Sequence, residues 1–308
     1  MRSSSDFRIF YNHTIFPELL RLEKYRKRLL LLIGISLFFI LLVTVVGLAL
    51  DILPLTLSLS LVIGIYIYFL IRRIQKFISD FKPLVVNLIL DFIDDSINYT
   101  QLKYHPKRAI KKADFYKSKL FDSPAQIYEG EDFIEGSIGS VKFELCELNV
   151  LEKSKVRQAF NPIFKGVFTK ATLEVSMGGK VVILPRDEKV NLTSTIRKLL
   201  QARFLLMNQN IRDKGFRNRF LVYADKQAKL KDILSKELQN SIEKYCEGED
   251  KLLYMSFINK DVYIAITEEK NILEPNVFKP NLSYQLVKEF FEDIQLQLKI
   301  IEDFDLHH

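Results

Sequence analysis

Histidine and cysteine are scarce in this chain, and their scarcity removes much chemistry at once. Among 308 residues there are four His and two Cys. Cys146 and Cys246 stand far apart, with no partner at a spacing that suits a structural zinc site or a redox pair. No His-Glu-x-x-His and no Gly-x-Ser-x-Gly occurs, and His13 and His105 cannot make a metal site by themselves. A Ser/His/Asp triad would have to run through His105. Gly178-Gly179-Lys180 lacks the rest of a phosphate-binding loop, and β-branched residues stand where its helix would start. Internal repeats and low-complexity tracts are also missing. The expectation is of no cofactor, no resident metal and no catalytic set, so an enzyme is the less favoured class.

Charge is missing from one region above all. Leu29–Leu50 is an apolar run of 22 residues and Leu53–Ile71 a second of 19, with only Asp51 and Ile52 between them. At about 1.5 Å per residue each is long enough to cross a hydrocarbon core about 30 Å thick. The first run is too long for the apolar part of a signal peptide, lacks a small-residue cleavage site and is followed at once by the second. With no ionisable residue inside either run, ion or proton transport is not expected. Ser60 and Gly64 form a small-xxx-small pair that would let the two helices approach closely. Tyr66 and Tyr68 fall where an aromatic belt belongs.

Cations crowd the flanks. Residues 1–28 hold seven Lys/Arg against three acids, and residues 72–120 hold eleven against five, within a total charge of +7. The turn between the runs has no cation. By the positive-inside rule both termini are expected in the cytoplasm of a bacterial inner-membrane protein. Arg26, Lys27, Arg28, Arg72, Arg73 and Lys76 are the candidate membrane-surface residues, facing anionic headgroups. Because residues 121–308 are mildly acidic, nucleic acid is not an expected partner. Two cysteines in such an interior domain read as buried thiols.

The organisation expected is a basic lead-in (1–28), a transmembrane hairpin (29–50 and 53–71), a helical connector (72–121) and a cytoplasmic α+β domain (122–308). Pro17–Arg28 should extend the first span as helix. In the connector, Leu84, Leu88 and Phe92 recur behind Pro83, and His105-Pro106 makes a break. Strands are expected at Gln126–Tyr128, Asp132–Glu135, Val141–Val150, Phe164–Val175 and Val181–Leu184. Gly136–Gly139 and Met177–Lys180 serve as turns, the latter joining a hairpin. Helical periodicity marks Asn191–Met207, Lys226–Tyr245 and Tyr284–Ile301. A strand at Phe220–Ala224 and a hairpin of Leu252–Ile258 with Val262–Thr267 complete the domain.

Several stretches carry a likeness. Tyr128–Gly136 (YEGEDFIEG), Phe143–Leu148 (FELCEL), Ile163–Phe168 (IFKGVF) and Gly179–Pro185 (GKVVILP) occur in a characteristic order. Phe220–Gln227 (FLVYADKQ), Ile233–Ser235, Ser256-Phe257 and Tyr263–Ile266 follow. Together they resemble an uncharacterised bacterial membrane-protein family known as domain of unknown function 3137, from the spans to about Pro280. The chain departs from that family at Asp225-Lys226-Gln227 and at Lys170–Leu173. The resemblance implies an architecture and no chemistry.

Two clusters stand out as candidate binding residues. Glu129, Glu131, Asp132 and Glu135 could hold a hard cation or a basic partner, although a solvated turn is the plainer reading. Arg212, Lys214, Arg217 and Arg219 could clamp phosphate or a headgroup, against the plainer reading of a charged loop. Gly166 between Phe164 and Phe168 reads as a strand irregularity that packs both rings into the core. The functional expectation is a membrane-anchored α+β domain that binds a protein, a lipid headgroup or a small ligand. The alternatives are a tethered metal-dependent hydrolase using residues 129–135, and a self-assembling scaffold.

Overall fold

The computed structural model describes residues 4–94, 99–154, 159–186, 192–246, 251–269 and 273–305. Contacts divide the chain into a helical unit, Arg2–Phe92 with Ile272–Phe290, and a sheet unit, Ile93–Asn271 with Phe291–His308.

The helical unit is built on two long helices. After α1 (Ser4–Phe10) and a π-helical turn at Tyr11–Ile15, α2 runs from Phe16 to Ala49 and α3 from Leu53 to Asp94. Pro17 is the second residue of α2, just past the π-helical turn, and lead-in and apolar run form one helix as expected. Asp51 closes α2 at φ +53°, a left-handed conformation that a short polar side chain tolerates. The Ile52 N–H then returns to the Gly47 carbonyl at 3.0 Å. Close approach between α2 and α3 falls at Gly47, where an added Cβ would lie 1.7 Å from Thr56 Oγ1. The expected pair does not serve that purpose, for Gly64 has nothing within 4 Å of such a Cβ.

Pro83 lies within α3 and leaves the Ser79 carbonyl without its usual helical partner, yet the helix continues for eleven residues. Beyond the apolar run, Phe77, Phe81, Val85, Val86, Ile89 and Phe92 form the buried stripe, one residue out of phase with the expected Leu84 and Leu88. Phe7 of α1 meets Phe92 edge-on at 5.4 Å between centroids.

The sheet unit begins earlier than the sequence reading has it. In place of a helical connector reaching Phe121, β1 covers Tyr99–His105 and α4 only Lys112–Lys117. Next come β2 (Ile127–Ile138), β3 (Val141–Lys153), β4 (Phe160–Thr172) and β5 (Lys180–Pro185). Then follow α5 (Leu192–Gln201), β6 (Leu205-Leu206), α6 (Lys214–Arg219) and β7 (Phe220–Ala224). The order closes with α7 (Leu230–Ile233), α8 (Lys236–Cys246), β8 (Leu253–Ile258), β9 (Asp261–Thr267) and α9 (Tyr284–Asp305), whose first turns belong to the helical unit. The nine strands form one antiparallel sheet in the order β1-β2-β3-β4-β9-β8-β5-β7-β6.

The architecture is thus α+β, with two corrections inside it. The expected hairpin at Met177–Lys180 does not form, because β4 pairs with β9 and β5 pairs with β8 and β7. A strand edge is satisfied by any neighbour with a matching apolar face, and the β8–β9 hairpin inserts there. The expected helix Lys226–Tyr245 is two pieces, with the Ser235 hydroxyl accepting from the Leu238 N–H to start the second.

Both faces of the sheet are covered. One carries Cys146, Leu148, Phe164, Phe168, Val182, Tyr254 and Tyr263, packed with Phe115 of α4 and Leu199 of α5. Phe115 and Phe121 stack at 5.0 Å. Gly166 adopts φ +146°, and a Cβ there would lie 2.1 Å from the Ile266 carbonyl oxygen, so glycine is what lets β4 lie against β9. Alternation turns Thr169 to the opposite face, where its hydroxyl bonds Gln297 of α9.

Candidate functional site

Asp132 is where the strand pattern breaks. The β2–β3 register shifts between Glu131 and Ile134, and Asp132 takes φ +57°. This is a bulge: the extra residue turns the Asp132 side chain toward β1. There it is buried and accepts from the Tyr104 hydroxyl, while its own N–H donates to the Pro106 carbonyl at 3.1 Å. Glu131 stays in the ladder directly opposite Glu147. Carboxylate oxygens of Glu131, Asp132 and Glu147 consequently lie within 4.8 Å of one another. Like charges opposed across a sheet repel, so these three would accommodate a cation or a basic side chain.

The sequence cluster is only partly brought together. Glu135 is taken by Arg108 at 2.9 Å and His105 at 3.3 Å, with the Arg108 guanidinium 4.0 Å over the Phe133 ring. Glu129 is exposed opposite Asn149. Glu147 escaped the sequence reading, because only the β2–β3 register brings it to the bulge. The FELCEL run gave a strand but no reason to single it out.

The basic segment divides similarly. Arg217 lines an open cleft of about 420 Å³ with Arg186, Asn208, Gln209 and Asn218. Asn208 is a framework residue, donating to the Phe220 carbonyl at 2.7 Å and accepting from the Val222 N–H at 2.9 Å. Arg219 donates instead to the Cys246 carbonyl at 2.8 Å, and Arg212 is exposed without joining the cleft lining. Lys214 is likewise exposed, at the start of α6. Arg186 lies in the loop after β5 and was not singled out, since one arginine beside a strand gives no signal. Two guanidiniums on one cleft can share an anion's charge with bidentate geometry.

Among the flanking cations, Lys27, Arg28, Arg72, Arg73 and Lys76 are exposed. Arg26 is a correction: it is 4% exposed, ion-paired with Glu23. A helix spaces residues three apart on one face, so Arg26 turns inward onto Glu23 while its neighbours turn out.

Both cysteines are buried and free. Burial pushes the Cys146 thiol up to about 12 and the Cys246 thiol up to about 11, so neither is a nucleophile near neutrality. Asp114 has the opposite balance. Burial would raise its pKa, but Lys117 and Lys170 together hold it below the usual value.

The chain therefore presents an antiparallel α+β domain together with two helices long and apolar enough to cross a membrane. Residues 162–306 match the family described as Protein of unknown function (DUF3137). The matched part starts within β4, so Tyr128–Gly136 and Phe143–Leu148 lie outside it, and it runs past Pro280 to the end of α9. No curated protein matches the chain. Among solved structures it is similar to the mycobacterial trehalose monomycolate transport factor A, TtfA, at 8% identity over 63% of this chain and 88% of that one. The TM-score is 0.31, at which the likeness carries no argument.

Proposed function

We propose that this protein is anchored in the bacterial inner membrane by α2 and α3, with both termini in the cytoplasm, and that its sheet unit is a binding module rather than an enzyme. The observation that carries the anchor is exposure. The most apolar windows of the two helices are only 11% and 6% buried, which separates them from core helices of the same composition. Leu31, Phe38, Leu41, Leu57, Leu61 and Val62 all face outward. Lipid is the solvent that such a surface fits. Fusing a reporter after His308 tests the orientation: cytoplasmic fluorescence is expected, and periplasmic phosphatase activity would overturn it.

The cleft at Arg186 and Arg217 supports a phosphorylated or carboxylated ligand as what the module binds. Titrating the detergent-solubilised chain with inorganic phosphate and with glycerol phosphate tests this by calorimetry. Binding that the Arg186→Ala, Arg217→Ala pair lowers at least tenfold is expected; indifference to both substitutions would remove the cleft from consideration.

A second reading has its own observation, the approach of Glu131, Asp132 and Glu147. A divalent cation held there would support hydrolytic chemistry by polarising a substrate oxygen. Thermal unfolding with and without magnesium, manganese or calcium decides it. A rise in Tm abolished by Asp132→Asn supports the reading, and indifference to every metal ends it.

A further inference from the structure

The loop that precedes α9 returns to the base of α2 within the helical unit. Arg26 Nη1 donates to the Val277 carbonyl, and the Asn281 N–H points at Glu23 Oε2 at 3.5 Å. Glu23 and Arg26 are both buried beneath this loop. Further ties hold its ends: the Tyr11 hydroxyl donates to the Leu282 carbonyl at 3.3 Å, and Lys82 pairs with Glu274 at 3.5 Å. The loop is thus fastened to α2 three residues before Leu29, where the apolar run begins. At about 1.5 Å per residue that is roughly 4.5 Å along the helix axis.

Its tip is rigid. Asn276 Oδ1 accepts from the N–H groups of both Phe278 and Lys279 at 2.9 Å. Asn281 Nδ2 donates to the Asn276 and Lys279 carbonyls at 2.9 and 3.3 Å, and Asn281 Oδ1 accepts from the Asn276 N–H at 2.7 Å. Pro275 and Pro280 flank the tip and narrow its conformations further. What this framework presents is Phe278, 84% exposed, more than any other large hydrophobic residue described. Lys279 follows it, and Lys24, Lys27 and Arg28 are exposed on α2 at the same level. An ordered loop holding a bare aromatic ring beside lysines, one helical turn from the apolar surface, has the chemistry of the headgroup boundary.

We propose that the Asn276–Asn281 loop is a second membrane contact, in which Phe278 enters the headgroup–acyl boundary and Lys279 is drawn to the negative charge of anionic headgroups. The proposal rests on the membrane reading of α2 and α3. It gives the polar Glu23–Arg26 pair a task, namely to clamp the loop at a set depth beside the span.

The chain contains no tryptophan, so Phe278→Trp introduces a single indole that can be excited apart from the tyrosines. The full chain is reconstituted in vesicles of phosphatidylcholine and phosphatidylglycerol, with lipids brominated either near the headgroup or deep in the acyl chains. Leu41→Trp, in the middle of the first apolar run, is the reference. A ring lying about 5–10 Å deep should be quenched about twofold more by the shallow bromines than by the deep ones, with the order reversed for Leu41→Trp. Adding Lys279→Glu should weaken the quenching of Phe278→Trp in phosphatidylglycerol vesicles and leave it unchanged in pure phosphatidylcholine. If Leu41→Trp is quenched and Phe278→Trp is not, the loop contact is wrong and the anchor stands. Shielding of Phe278→Trp from aqueous iodide without bromolipid quenching would mean a protein cover and would also overturn the proposal. Failure of both variants to be quenched would remove the anchor and the loop contact together.

Discussion

Phe38 in the helical unit is 61% exposed, whereas Phe168 in the sheet unit is fully enclosed. The contrast extends to the neighbours of each. Around Phe38 the helix shows Leu, Ile, Val and Phe on every side, while around Phe168 the rings of Phe115, Phe164 and Tyr263 close a core between sheet and helices. The residues are of one kind, and their partners differ. In the sheet unit apolar groups are satisfied by one another, as they are in the stripe from Phe77 to Phe92; along the apolar runs of α2 and α3 they face outward. Buried charges do not follow that division. The helical unit keeps Glu23–Arg26 at the base of α2, and the sheet unit keeps Lys251 with Glu268 and Asp293 at 3.0 and 2.8 Å.

The largest test of the comparison is Phe168→Ala against Phe38→Ala. Opening a cavity in the sheet core should cost about 3–5 kcal/mol, measured by thermal unfolding of the purified chain. Removing the Phe38 ring should leave that transition within about 0.5 kcal/mol. Equal costs would break the distinction between the two surfaces.

Asp293→Ala comes next. Its carboxylate also accepts from the Tyr245 hydroxyl at 2.7 Å, so the network joins α8, α9 and Lys251, two residues before β8. Burial raises the Asp293 pKa and Lys251 opposes it, while the Lys251 pKa is raised because its two carboxylates outweigh its own burial. Removing Asp293 leaves the ammonium buried with one partner, and a loss of about 3 kcal/mol is expected from denaturant titration. A Lys251→Met, Asp293→Leu, Glu268→Gln triple variant, which leaves no member of the network charged, should recover most of it.

The smallest effect is the pH dependence of the loop on α2. The hydrogen bond from Arg26 holds Glu23 below its ordinary value of 4.5, against the upward pull of burial. A depressed acid stabilises the folded arrangement above its unfolded pKa and loses that contribution as pH falls through the lower folded value. The protection of the Phe278 and Lys279 amides, taken relative to their intrinsic exchange rate at each pH, should therefore be high above pH 4.5 and fall only below it. Glu23→Gln should give low protection at every pH, and unchanged protection in that variant would show that the ion pair does not hold the loop.

Much of the architecture was legible because its signals are local. The two apolar runs, the alternation in Val141–Val150, the hairpin at Asn259–Asp261 and the stripe of α9 each need only neighbouring residues to be read. Misreadings came where pairing over long distances decides. Tyr99–His105 resembles a helix continuation until β2 offers it an edge. Val181–Leu184 follows a glycine turn, yet the β8–β9 hairpin, distant in sequence, takes the place beside β4. The candidate site follows the same rule: four carboxylates in seven residues are visible in the chain, but which of them converge depends on a one-residue bulge at Asp132 and on Glu147 across the ladder.

The amino-acid order alone determined the apolar hairpin, the basic flanks and the α+β content, since hydropathy, charge and period are properties of short windows. Tertiary structure decided the strand order, the turning inward of Arg26, the division of the acidic and basic clusters, and the fastening of the Phe278 loop to α2. The reason is physical. Backbone edges and buried charges are satisfied by whichever partner the fold brings near, and, apart from Glu23 beside Arg26, that partner lies tens to hundreds of residues away.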